Sequence, residues 1–226
     1  MTTFVVTPAD AVAGIPDGAT VMIGGFGTAG QPVELIEALI DSGARDLTVV
    51  NNNAGNGDRG LAALIGERRV RKIICSFPRQ TDSHRFDTEF RAGRIELELV
   101  AQGNLAERIR AAGAGVGAFF TPTGYGTPLA DGKETREIDG RNYVLEYPIH
   151  ADVALISAYA ADRAGNLVYR KTARNFGPIM ATAATTTVAQ VCELRPLGGI
   201  DPEHVVTPGV FVDRVVPVPA QPEERP

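Results

Sequence analysis

The residues best suited to holding a ligand lie between an apolar run and the start of a helix. In Ala19-Thr-Val-Met-Ile-Gly-Gly-Phe-Gly-Thr-Ala-Gly-Gln-Pro32 the apolar run gives way to Gly24, Gly25, Phe26, Gly27, Thr28, Ala29 and Gly30. Glycines let the backbone approach a ligand, and amides facing a helix N-terminus favour anionic or oxyanionic groups. Pro32 fits the first helical turn, where its missing N–H would have no partner anyway. The spacing Gly25-x-Gly27-x-x-Gly30 also fits a dinucleotide fingerprint. That fingerprint requires an acidic residue about 20 positions on, at the end of the second strand. Here that strand ends in Asn51-Asn52-Asn53, and Asp46 lies at its wrong end, so a nicotinamide or flavin site is disfavoured. The bland alternative is a glycine turn that only tightens strand-to-helix packing.

Other reactive side chains do not assemble into a catalytic set. Cys75 and His84 are near in sequence, but a cysteine at a strand end reads as a buried thiol. The histidines at 84, 150 and 204 lack ligand spacing, and Cys75 and Cys192 are isolated, so no metal site or disulfide framework is expected. Glu34 and Glu37 fall on a helix whose exposed face carries charge in any case. Gln102 stands at the end of a strand, before a glycine, and Arg79 lies in a strand-end loop.

The elements that position these residues follow from periodicity. Residues 20–23, 47–50, 72–75 and 95–100 read as strands, and 32–41, 59–67, 82–91 and 104–112 as helices between them. Asn104 is expected as an N-cap, with Glu107 three residues on as in a capping box. Repeated strand–helix units predict an α/β fold: a mostly parallel sheet flanked by helices, with ligands beyond the carboxyl ends of the strands. The loops at 24–30, 51–57, 76–82 and 101–104 all fall on that edge. From Gly115 the pattern changes to a Pro/Gly loop and short strands at 135–138, 143–147 and 153–158, with Asp139-Gly140 as a hairpin turn. These predict a small antiparallel β insertion over about 118–170 within one domain spanning 1–216. A helix at 173–183 and a strand at 188–193 return to the main sheet. The Pro-rich residues 217–226 are expected to be a disordered tail.

Composition excludes several classes. The chain has 226 residues, 44% hydrophobic and 22% charged, with a net charge of −5. An acidic balance argues against nucleic acid as a partner. No apolar run approaches the ~20 residues of a membrane span. Met1-Thr2-Thr3-Phe4 lacks the regions of a signal peptide, so a cytoplasmic location is expected.

Several segments, in order, resemble the α subunit of the family I coenzyme A transferases. They are Asp17-Gly-Ala-Thr-Val-Met-Ile-Gly-Gly-Phe-Gly27, Asn52-Asn-Ala-Gly55, Gln102-Gly-Asn-Leu-Ala-Glu-Arg-Ile-Arg110, Phe120-Thr-Pro-Thr-Gly-Tyr-Gly-Thr127, and Asp162-Arg-Ala-Gly-Asn166 with Arg170-Lys-Thr-Ala-Arg-Asn-Phe176. The resemblance runs from Ile15 to about Val215. It implies transfer of CoA between carboxylic acids through a glutamyl-CoA thioester, with the CoA thioester as substrate and no further cofactor. The nucleophilic glutamate of this family sits in a Glu-Asn-Gly motif of the β subunit, and no Glu-Asn pair occurs here. The resemblance therefore implies half an enzyme, completed by a β subunit in a heterodimer or heterotetramer. It makes residues 24–30 the CoA-binding loop and Gln102 an oxyanion donor, with helix capping as the structural alternative. It also places Asn52 and Asn53 at carboxylate or pantetheine groups, against the alternative that they only make a turn.

Within the family, Cys75-Ser-Phe-Pro-Arg-Gln-Thr-Asp-Ser83, Phe26-Gly-Thr-Ala-Gly30 and Gly132-Lys-Glu-Thr-Arg-Glu-Ile-Asp-Gly140 look like the branch that takes 3-oxoadipate, and the competing branch takes acetoacetate. 3-Oxoadipate has a second carboxylate, which a guanidinium can bind bidentately. Arg79 is the candidate for it and His84 the second, unless Arg79 simply pairs with a surface acid. Ile156-Ser-Ala-Tyr-Ala-Ala161 lacks lysines found near there in many members, and Gln31 stands where an apolar residue is more usual. A non-enzymatic relative of this fold, a sugar-phosphate effector domain, normally carries a helix-turn-helix, for which these residues leave no room.

Overall fold

The computed structural model describes residues 2–219. In chain order its elements are β1 (Thr3–Phe4), α1 (Pro8–Val12), β2 (Thr20–Ile23), α2 (Val33–Ser42), β3 (Leu47–Val50), α3 (Leu61–Gly66), β4 (Val70–Cys75), α4 (His84–Arg91), β5 (Glu96–Leu99) and α5 (Gln102–Gly113). There follow β6 (Phe119–Thr121), β7 (Thr135–Ile138), β8 (Arg141–Glu146), β9 (Ala151–Ala161), β10 (Leu167–Val168), α6 (Gly177–Ala183), β11 (Ala184–Leu194) and β12 (Arg214–Pro217). The main sheet runs β1-β12-β11-β9-β2-β3-β4-β5, and every pairing along it is parallel. β10 adds antiparallel to the end of β9. The α/β class with a small antiparallel sheet is as expected.

Alternation along the strands divides the core in two. Val21, Ile23, Val49 and Ile73 face a layer that includes Leu35, Ile36, Leu39, Leu61 and Phe86 of α2, α3 and α4. Met22, Val50, Ile74 and Ile156 face Leu105 and Ile109 of α5 and Met180 of α6. This two-residue period is what a sheet covered on both sides requires. Burying each large aliphatic side chain stabilises the fold by roughly 1.5–3 kcal/mol. α2 illustrates the local logic: Pro32 leads in, one face is buried at Leu35, Ile36 and Leu39, and Gly43 ends the helix at φ +84°.

Three expectations are corrected. The insertion is smaller than 118–170: only β6, β8 and β7 form the second sheet, and β9 lies at the centre of the main one, between β2 and β11. Its almost unbroken burial from Ala151 to Ala161 is that of an interior parallel strand. The helix expected at 173–183 is split into a 3-10 turn, Lys171–Arg174, and α6. Asn175 separates them because its side chain bonds locally, donating to the Thr172 carbonyl and accepting from the Phe176 amide. Residues expected in the tail also belong to the fold, since Pro217 ends β12 and buried Val218 donates its N–H to the Val191 carbonyl. The remainder of that segment, 220–226, lies outside the described residues. The Asp139-Gly140 turn joins β7 to β8 with both residues at positive φ, as a tight hairpin requires.

Candidate active site

β2 leads on to β3 at one side, and β9 leads on to β11 at the other, so the strand order reverses between β2 and β9. In an open parallel sheet, the crevice beyond such a reversal is where ligands bind. The glycine loop 24–30 sits there. The Gly24 N–H donates across to the Leu155 carbonyl of β9 (2.9 Å), and Phe26 and Ala29 exchange backbone hydrogen bonds of 3.0 and 3.2 Å around a Gly27-Thr28 turn. Gly25 has φ +127° and Gly30 has φ +72°. A Cβ on Gly30 would lie 2.7 Å from the Ala173 carbonyl oxygen, so the loop rests directly on the backbone of the segment before α6.

Asparagines hold this loop from beneath. Asn51, fully buried, donates from Nδ2 to the Ile23 carbonyl (2.6 Å), and its Oδ1 accepts the Asn53 amide (2.8 Å). Asn53 is equally buried; its Nδ2 donates to the Gly27 carbonyl and its Oδ1 accepts the Gly55 amide. Asn52 accepts from Ser76 Oγ at 2.7 Å through Oδ1. From the other side, Asn175 Oδ1 accepts the Gly25 amide (3.2 Å) and Nδ2 donates to the Ala29 carbonyl (3.0 Å). Neither Asn51 nor Asn175 is singled out by the sequence. Their signal is present in the Asn51-Asn52-Asn53 run and in the Arg170–Phe176 motif, but not which partner each amide meets. Gln31 has its own explanation: Oε1 accepts the Leu61 amide at the start of α3, which an apolar residue could not do.

Gln102 is the first residue of α5, exposed, and its side chain makes no hydrogen bond among the described residues. The capping alternative therefore has no bond to support it. The expected N-cap is corrected: Asn104 is buried inside α5 and donates to the Thr123 carbonyl and to Glu146 Oε1, both 3.2 Å. These bonds bring the Pro/Gly loop around Tyr125 beside the start of α5. Glu107 pairs with Arg110 and closes no capping box. β5, which leads into Gln102, lies three strands along the sheet from β2, which leads into the glycine loop.

The remaining candidates are engaged locally. Arg79 Nε donates to Asp87 Oδ1 (2.6 Å), and its guanidinium lies 5.7 and 5.5 Å from the Phe86 and Phe90 ring centres. This is the pairing with a surface acid that the sequence left open. His84 sits between Asp82 (Nδ1, 2.8 Å) and Asp58 (Nε2, 3.2 Å), whose carboxylates raise its pKa, Asp82 the more strongly. Burial pushes the Cys75 thiol up to about 12, so it stays protonated and inert at neutral pH. Among the described residues no group of His, Cys, Asp and Glu could hold a metal ion, and no helix is long and apolar enough to cross a membrane.

The chain is 69% identical over 210 residues to a 3-oxoadipate CoA-transferase subunit of Pseudomonas putida, covering 93% of this chain and 91% of that one. It is 53% identical to the corresponding succinyl-CoA:3-ketoacid coenzyme A transferase subunit of Xanthomonas campestris, covering 95% and 88%. An acyl-CoA transferase of Escherichia coli O157:H7, solved as a thioester complex with CoA, shares the fold with a TM-score of 0.86 at 24% identity. All of this chain matches it, spanning about half of that longer chain (52%). The coenzyme A transferase family profile matches residues 5–217, and the chain belongs to that family.

Proposed function

We propose that this chain is the α subunit of a CoA-transferase that moves CoA from succinyl-CoA to 3-oxoadipate. The observation that carries the acceptor is the 69% identity to a 3-oxoadipate CoA-transferase chain, against 53% to a succinyl-CoA:3-ketoacid one. In the proposed reaction a glutamate carboxylate of the partner β subunit, in its Glu-Asn-Gly motif, attacks the thioester carbonyl. The tetrahedral oxyanion collapses, expelling CoA thiolate and leaving a mixed anhydride. The thiolate then attacks the glutamyl carbonyl, releasing succinate and forming the glutamyl-CoA thioester, and 3-oxoadipate reverses the sequence. A covalent intermediate divides one difficult exchange into easier steps.

This chain's share is charge stabilisation and orientation. Gln102, whose side chain makes no hydrogen bond among the described residues, lies at the N-terminus of a twelve-residue helix and is suited to donate to the oxyanion, with the helix dipole favouring the same charge. Residues 24–30 hold the CoA thioester. Asn52, whose Nδ2 has no partner among the described residues, contacts substrate, whereas Asn53 serves by fixing the loop. Arg79 reads the distal carboxylate with its terminal nitrogens, since Nε is held by Asp87. The β subunit packs over the carboxyl edge, where Phe26 and Phe77 on adjoining loops are 47% and 58% exposed. Activity of the co-expressed pair with 3-oxoadipate and with acetoacetate tests the assignment: preference for 3-oxoadipate supports it, and preference for acetoacetate moves the protein to the 3-ketoacid branch.

A further inference from the structure

We infer that Asn175 is the positioning residue of the glycine loop: its carboxamide fixes which backbone amides the loop presents to the CoA thioester. The inference rests on the reading of residues 24–30 as the CoA site. Within the loop, the N–H groups of Gly24, Phe26 and Ala29 are taken by backbone carbonyls, and that of Gly25 by Asn175 Oδ1. The amides of Gly27, Thr28 and Gly30 have no acceptor among the described residues, and Gly27 and Thr28 form the tip. Successive free amides in a tight turn make a concavity for a carbonyl oxygen or an anion.

One side chain grips both arms of this hairpin. Oδ1 takes the Gly25 amide on the entering arm, and Nδ2 takes the Ala29 carbonyl on the returning arm. The same group is tied to its own segment by the Thr172 carbonyl and the Phe176 amide, each 2.7 Å away. Four bonds use the donors and acceptors of a primary amide in full. Aspartate would keep the acceptor and turn a carboxylate oxygen towards two carbonyls, and alanine would release both arms. The break in helix after Lys171–Arg174 follows from this geometry, because Asn175 must leave the helical path to face the loop.

The test uses the assembled two-subunit enzyme with Asn175→Ala and Asn175→Asp. Amide hydrogen exchange is followed in residues 24–30 with and without CoA, beside steady-state kinetics. Gly25 exchange should rise in Asn175→Ala, and KM for succinyl-CoA should increase about tenfold or more in both variants, the loss expected for one or two hydrogen bonds. KM for the acceptor acid should stay within twofold, a split that general destabilisation would not give. If wild-type loop amides gain protection from CoA and both variants keep the wild-type KM for succinyl-CoA, the role of Asn175 is overturned. If CoA protects none of these amides in wild type, the CoA-loop reading fails, and the proposal with it, whatever Gly25 exchange shows in the variants.

Discussion

Replacing Gln102 with alanine separates a chemical role from a structural one. Its side chain is exposed at the first position of α5 and bonds to nothing among the described residues, so removing it leaves no buried group unpaired. The stability change should fall within about 0.5 kcal/mol, a shift of under ~2 °C in Tm for a chain of this size. A true N-cap would cost ~1 kcal/mol instead. If the amide donates to the oxyanion, its loss raises the barrier by about 3–4 kcal/mol, or roughly 10²–10³ in kcat. Gln102→Glu sharpens the contrast. A carboxylate in the first turn should favour the helix by about 0.3–1 kcal/mol while repelling the developing charge. The assays are a thermal melt of each variant paired with its β subunit and the initial rate of 3-oxoadipyl-CoA formation. A kcat for Gln102→Ala within twofold of wild type, at unchanged Tm, would refute the oxyanion role.

Arg79→Ala should lower kcat/KM for 3-oxoadipate roughly ten- to a hundredfold, the worth of one charge-assisted hydrogen bond, with a much smaller loss for acetoacetate. Equal losses would make Arg79 only the partner of Asp87. Gly30→Ala places a side chain at φ +72° and 2.7 Å from the Ala173 carbonyl oxygen. The left-handed conformation alone costs roughly 1–2 kcal/mol and the overlap adds to it, which a urea midpoint at constant m would read. His84 has a raised pKa, so its bonds to Asp58 and Asp82 contribute fully below the ordinary histidine value and are lost as pH rises through the folded one. Wild type should therefore out-melt His84→Gln at pH 5.5 and not at pH 8.5; an equal difference at both would contradict the linkage.

Strand and helix periods carried most of the first half into view. Residues 20–23 and 47–50 are strands as read, because a short apolar, β-branched run buried on both faces and bounded by turn residues leaves its mark locally. The role of β9 was hidden because an apolar segment flanked by turns looks alike in an insertion and in a sheet centre, and only pairing with β2 and β11 distinguishes them. Asn104 shows the same limit at one residue: its type suggested a cap, but its partners, Thr123 and Glu146, come from the insertion. At the site, the glycine loop was legible from composition. The clamps were not, since Asn51 and Asn175 meet the loop from 27 and 150 residues away in sequence. Tertiary partners of polar side chains are set by the fold and leave little local trace.

In the proposed reaction this chain supplies oxyanion and CoA contacts but no nucleophile. This is tested by assaying CoA exchange between succinyl-CoA and 3-oxoadipate with the purified chain, with its β subunit, and with both mixed. Activity should appear only in the mixture, with a borohydride-sensitive glutamyl thioester on the β subunit once succinyl-CoA is added. Robust exchange by the isolated chain, or a thioester formed on one of its own glutamates, would contradict the account.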